Sequence, residues 1–135
     1  MKCLIVEDDF TARKLMQRYL SSYSDCDIAA DGVEAIEAFR LAVDDNAPYD
    51  LICLDIMMPN MDGRQALKAI RQIESECGIA GLDCVKVIMT TALDDSENVM
   101  GSFREGCEAY IVKPVAKDKL IEEMANFGLI EAVSK

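Results

Sequence analysis

The stretch LICLDIMMPNMDG, Leu51 to Gly63, decides how the rest of the chain is read. A short apolar run leads straight into a carboxylate, Asp55, and then into a loop bearing Pro59 and Gly63. A strand that only had to pack would not end on a charge, because taking a carboxylate out of water without a partner is costly. Two readings are open: Asp55 caps a loop, or the chain holds a carboxylate out for chemistry.

Working outward from this stretch, short apolar runs alternate with longer amphipathic ones. Cys3–Val6 predicts a strand, and Ala12, Leu15, Met16, Tyr19 and Leu20 follow at helical spacing. Cys26–Ala30 reads as a second strand. Asp31 and Glu34 have the form of a capping box that opens a helix with Ile36, Phe39 and Val43 inward. Leu51–Leu54 is the third strand, followed by a helix over Gly63–Ile73 through Leu67, Ile70 and Ile73. Val85–Met89 predicts the fourth strand, and Val99, Met100 and Phe103 the helix after it. Ala109–Val112 is the last strand, and Leu120, Ile121, Met124 and Phe127 share one face of the final helix. Five strands alternating with five helices predict an α/β fold, a doubly wound parallel sheet covered on both faces. Burial on both faces explains why the strands are apolar throughout.

Composition narrows the function classes. The 135 residues suffice for one domain with a real core, and no segment approaches the length needed to span a bilayer. The apolar run after Lys2 is too short for a signal peptide, so a cytoplasmic protein is expected. Fourteen basic and twenty-five acidic residues give a net charge of −11, which disfavours nucleic acid and anionic membranes and favours cations or basic partners. With no histidine, His-based catalysis and His-containing zinc sites are excluded. The six cysteines form no CxxC pair, and several lie inside expected strands, where cysteine serves as a small hydrophobe. Reduced thiols are expected, although Cys77 and Cys84 flank one loop and a bridge between them stays open.

In open parallel sheets, ligands bind beyond the carboxyl ends of the strands. At those ends stand Glu7, Asp8 and Asp9 after the first strand, Asp55 after the third, Thr90 and Thr91 after the fourth, and Lys113 with Pro114 after the fifth. Clustered carboxylates repel unless a cation neutralises them, and an open all-oxygen site suits magnesium better than calcium. With the ion and Lys113 nearby, such a cluster can receive a phosphoryl group, and Asp55 can act as its nucleophile. Each residue alone has a bland reading: Asp8 or Asp9 as a helix cap, Thr91 as a turn residue, Lys113 as a surface lysine. Their joint occurrence at successive strand ends favours chemistry.

The motifs LIVEDD, LDIMMPNMDG, VIMTTA and AYIVKP resemble those of response-regulator receiver domains of the CheY-like kind, over Lys2 to about Phe127. The resemblance implies a flavodoxin-like sheet in the order 2-1-3-4-5, a receiver over residues 1–127, and a short tail over 128–135 with no output domain. It makes Asp55 the phosphoacceptor. Asp8 would bind magnesium directly, Glu7 through water, and Met57 through its backbone carbonyl, leaving Asp9 just outside. Lys113 and Thr91 would complete the site, and Thr91 with Tyr110 would form the switch. A cis Lys113–Pro114 peptide is expected to aim the lysine inward. The partners implied are a sensor histidine kinase or phosphotransfer protein, and a downstream protein that meets the last two helices and the strand between them. That same face is where two copies would pair. Neither direct nucleic-acid binding nor membrane insertion is implied, nor is enzymatic activity beyond assisting its own phosphorylation and dephosphorylation.

Two features depart from the family. Glu74–Lys86 is several residues longer than the usual connection, serving as a spacer or a partner surface. Met57 and Leu93 are apolar neighbours of the phosphoryl site and should position water poorly, implying slow self-dephosphorylation. Other classes fit less well. A haloacid-dehalogenase-type phosphatase wants a second Asp two residues after the nucleophile, where Met57 stands. A flavodoxin-like FMN carrier needs a hydroxyl- and amide-rich phosphate loop where this chain has EDDF. A phosphorylation-independent pseudo-receiver would lack a site member, and none is missing.

Overall fold

The computed structural model describes residues 1–58, 60–91 and 106–131. Strands β1 (Lys2–Val6), β2 (Asp25–Ala29), β3 (Leu51–Asp55), β4 (Lys86–Thr91) and β5 (Ala109–Val112) form one parallel sheet in the order β2-β1-β3-β4-β5. Between and after them lie helices α1 (Phe10–Leu20), α2 (Gly32–Asp44), α3 (Gly63–Glu76) and α4 (Lys117–Asn126), with a short 3-10 turn at Gly81–Asp83. This is the fold class and strand order expected. Four α-helices lie among the described residues; the expected one carrying Val99, Met100 and Phe103 lies outside them, as do Pro59 and Leu93. No helix among the described residues is long and apolar enough to cross a membrane.

Alternation along each strand divides the interior into two cores. Leu4, Val6, Ile52, Leu54, Val87 and Met89 point to the side covered by α2 and α3, where Phe39, Leu67 and Ile70 meet them. Cys3, Ile5, Leu51, Cys53 and Ile88 point to the side of α1 and α4, against Met16, Leu20, Leu120 and Met124. A strand that feeds both cores is apolar at each core position, as the buried run Leu51–Leu54 of β3 illustrates, with only the terminal Asp55 departing from it. Beyond α4 the chain turns at Gly128, and Leu129 and Ile130 pack back onto the second core.

Local details depart from the periodicity. In α2 the buried stripe centres on Ala35, Phe39 and Ala42, with Ile36 and Val43 at its shoulders. The Asp31 side chain caps this helix by accepting from the Glu34 N–H at 2.9 Å, but the Glu34 carboxylate accepts from Ala30 rather than from Asp31. The complete reciprocal box occurs instead at α3, between Asp62 and Gln65. Helix α3 also runs on to Glu76, past the expected end at Ile73.

That extension has a physical cause. Glu74 is 2% exposed, and its carboxylate accepts from Arg71 at 2.7 Å and from the Val85 N–H at 2.7 Å. Arg71 also donates to the Val85 and Gly106 carbonyls and to both oxygens of Glu108. Glu108 accepts in turn from the Val87 N–H at 2.6 Å. One guanidinium thus ties α3 to the start of β4 and to the approach to β5. Arg71→Ala strands the buried Glu74 carboxylate and is expected to cost about 3 kcal/mol of stability, read by urea unfolding.

Gly63, the first residue of α3, lies against the end of β3. Its N–H donates to the Ile56 carbonyl at 2.8 Å, and a Cβ there would overlap the Asp55 carbonyl oxygen and sit 2.9 Å from Ile56 Cα. Both neighbours are backbone and cannot yield cheaply. Gly63→Ala is expected to lower stability by about 1–3 kcal/mol, measured by urea unfolding, and to shift the Asp55 and Ile56 amide resonances.

Candidate functional site

The carboxyl ends of β1, β3, β4 and β5 converge at one edge of the sheet. β1 delivers Glu7, whose N–H donates to the Ala29 carbonyl at 3.1 Å and whose side chain is buried. β3 delivers Asp55, 4% exposed, with Oδ1 accepting from the Met57 N–H at 3.2 Å. β4 ends on Thr90, level with Asp55 in the β3–β4 register, and on Thr91, 1% exposed. Just past β5, the Lys113 N–H donates to the Thr91 carbonyl at 2.7 Å, and the Lys113–Pro114 peptide is cis.

Lys113 joins the carboxylates. Its Nζ lies 2.6 Å from Glu7 Oε1 and 3.1 Å from Asp55 Oδ2. Burial opposes the lysine charge, yet the hydrogen bond to Glu7 and the field of Asp55 outweigh it and hold the ammonium above its ordinary pKa. Burial pushes the Glu7 carboxyl up, and Asp55 beside it adds to the rise against the pull of Lys113. Behind the lysine lies a cavity of about 510 Å³ walled largely by Ile5, Leu15, Met16, Cys53 and Val115. Such low-dielectric surroundings strengthen every charge interaction at its mouth.

The three acids after β1 part company. Ligand oxygens of Glu7, Asp8 and Asp55 lie within 4.8 Å of one another, with Asp8 exposed to solvent. Asp9 turns away and caps α1, accepting from the Ala12 N–H at 2.8 Å. Three carboxylates facing one ammonium leave an excess of negative charge in an all-oxygen cluster, a donor set that suits a hard divalent cation. Met57, 62% exposed, follows Asp55 on the open side. Tyr110 sits on β5 and is 39% exposed.

One support of the site has no local sequence signal. Asn60, at a positive φ of 67°, donates from its side chain to Asp31 Oδ2 at 3.1 Å. Next to Asp31, Gly32 leaves room for the Met61 carbonyl, which a Cβ would meet at 2.9 Å. The start of α2 thereby braces the loop that follows Asp55. The sequence shows Asp31 as a helix cap, but its second partner lies 29 residues away.

Known proteins resemble this chain in sequence and in fold. The family model for the response regulator receiver domain matches residues 3–125. The chemotaxis protein CheY of Treponema pallidum is 32% identical over 127 residues, covering 93% of this chain and 81% of that protein. The transcription factor SKN7 of Chaetomium thermophilum is 34% identical over 121 residues, 88% of this chain but only 14% of that much longer protein. Among solved structures, a chain of the CheX–CheY–BeF3–Mg2+ complex from Borrelia burgdorferi superposes with a TM-score of 0.76 at 30% identity, covering 93% of this chain and 87% of that one. Matching nearly end to end in both sequence and fold, the chain belongs to the response regulator receiver domain family, the receiving module of two-component signalling.

Proposed function

We propose that Asp55 accepts a phosphoryl group from the phosphohistidine of a sensor kinase or phosphotransfer protein, in a magnesium-dependent step in the cytoplasm. The observation that carries this reading is the Lys113 ammonium, 2.6 Å from Glu7 and 3.1 Å from Asp55. Glu7 anchors the lysine, and the lysine holds one Asp55 oxygen in place. An Asp55 carboxylate oxygen forms the bond to phosphorus as the phosphorus–nitrogen bond breaks. The electron pair leaves with the donor imidazole, which is protonated. Lys113 then stabilises the equatorial oxygens. Asp8, Asp55 and the Met57 carbonyl would hold magnesium directly, and Glu7 through water. When bound, the ion supplies positive charge to the phosphoryl oxygens. Met57 offers no group to orient attacking water, so the acyl phosphate decays slowly. The chain's own catalysis is confined to gaining and losing this group.

The output of this reading is protein–protein contact. Thr91 stands at the end of β4, and Tyr110 lies on β5, where Val112, Lys119 and Glu123 line the same concave surface. A phosphoryl group beside Thr91 attracts its hydroxyl, and Tyr110 moves into the space released. The surface of β5 and α4 then changes for a downstream protein or a second copy of the chain.

Incubation with magnesium and acetyl phosphate, followed by intact mass measurement, is expected to add one phosphate to the wild type and none to Asp55→Asn. An adduct on Asp55→Asn at the wild-type rate overturns the assignment. Asp8→Asn is expected to abolish the adduct and the rise in thermal midpoint on adding magnesium, whereas Asp9→Asn retains both. The reverse ranking moves the metal site by one residue. Thr91→Ala is expected to keep most of the phosphorylation while losing the chemical-shift change at Tyr110. Unaltered Tyr110 shifts in the phosphorylated wild type overturn the switch.

A further inference from the structure

Away from the carboxylate edge, three thiols stand side by side. Cys3 on β1 and Cys26 on β2 are direct partners in the parallel register, so both side chains leave the same face of the sheet. Cys53 on β3 belongs to the same core as Cys3, and Cys26 packs against that core. All three are free thiols. Cys3 and Cys53 are buried and serve as small hydrophobes, as expected of cysteine in a core. Cys26 is partly exposed, because β2 is an edge strand with β1 as its one neighbour.

Their chemistry differs as their burial does. The Cys3 thiol beside it brings the Cys26 thiol down to about 7, against burial and against the neighbouring Asp25 and Asp27 carboxylates, which raise it. The Cys3 thiol is held well above its ordinary value, first by the neighbouring Cys26 and Cys53 and then by burial. Elsewhere, burial pushes Cys107 up to about 11 and raises Cys84. A thiol that is partly thiolate near neutral pH, reachable from solvent and level with a second thiol on the neighbouring strand has the features of an oxidation-sensitive cysteine with its resolving partner.

We propose that Cys26 and Cys3 form a reversible redox pair, in which a hydroperoxide oxidises Cys26 and Cys3 closes the disulfide. In the first step the Cys26 thiolate takes the terminal peroxide oxygen, the O–O bond breaks, and the product is a sulfenic acid plus the reduced hydroxy compound (water, for hydrogen peroxide). The Cys3 sulfur then attacks the Cys26 sulfur, the S–O bond breaks, and hydroxide leaves with the Cys3 proton as water. Two thiols and one peroxide thus give one disulfide and, for hydrogen peroxide, two waters. Adjacent strands lie about 4.8 Å apart, within the roughly 4.4–6.8 Å Cα separation that a disulfide spans. An edge strand can make the remaining adjustment without disturbing a second neighbour.

The test treats the full chain with a few equivalents of hydrogen peroxide, blocks free thiols and maps tryptic peptides without reduction. Trypsin separates Cys3 from Cys26 at Arg13, Lys14 and Arg18, and Cys26 from Cys53 at Arg40. The expected result is loss of two hydrogens from the intact mass, a Cys3–Cys26 linked peptide, and return of both thiols with dithiothreitol. In Cys3→Ala, Cys26 is expected to accumulate as a sulfenic acid that dimedone traps. A link joining other cysteines, or Cys26 driven to sulfinate while Cys3 remains alkylatable after unfolding, overturns the proposal. The wild-type map decides even where Cys3→Ala does not fold.

Discussion

The carboxyl edge of the sheet depends on one ammonium. Glu7 and Asp55 are both buried, and two carboxylates so close could not share that position uncompensated. Lys113 reaches both, and its backbone is fixed by the bond from its N–H to Thr91. The ion pair is therefore not an ornament on a finished fold. It lets three strands end at one point with charged side chains turned inward. Asp8, on the solvent side, leaves the cluster with more negative charge than the lysine can balance, a donor set of the kind that suits a hard cation.

Rigidity beneath this edge comes from the two cores. Because both faces of the sheet are covered, the central strands cannot slide or tilt without opening one core or the other. Asp55 is held from below by β3, from the side by Thr90 in the neighbouring register, and from behind by the backbone of Gly63. The Asp31–Asn60 bond braces the loop that follows. Asp55 is thereby preorganised, since little around it is free to move.

At the opposite end of the sheet, the longer connection after α3 is anchored rather than merely spliced in. Arg71, Glu74 and Glu108 satisfy one another and the Val85 and Val87 amides at the entry to β4. This separates two tasks in space. Variation in the long connection need not reach Asp55, because a closed polar network lies between them.

The five strands, the four described helices and the doubly wound class were legible in the sequence because each depends on periodicity within a short window. Cys3–Val6 and Leu51–Leu54 are apolar throughout because each residue is buried on one face or the other, whereas edge strand β5 alternates buried Ala109 and Ile111 with exposed Tyr110 and Val112. The strand-end positions of Glu7, Asp8, Asp55, Thr91 and Lys113 could be read for the same reason, once a parallel sheet was inferred. Their distances could not, since Lys113 meets Glu7 across 106 residues and only strand order and register bring them to 2.6 Å. Sequence spacing assigned Glu34 to a box with Asp31, but the backbone path put Ala30 within its reach. Glu74 read as the start of the long connection, and in the structure it lies buried in the last turn of a helix, paired with Arg71. The same holds for the thiols. Six scattered cysteines carry no pattern along the chain, and pairing β1 with β2 set Cys3 against Cys26. Local patterns fix which element forms, because the chain need consult only its neighbours. Which charges and thiols meet is decided by register, because those partners are strangers until the sheet closes.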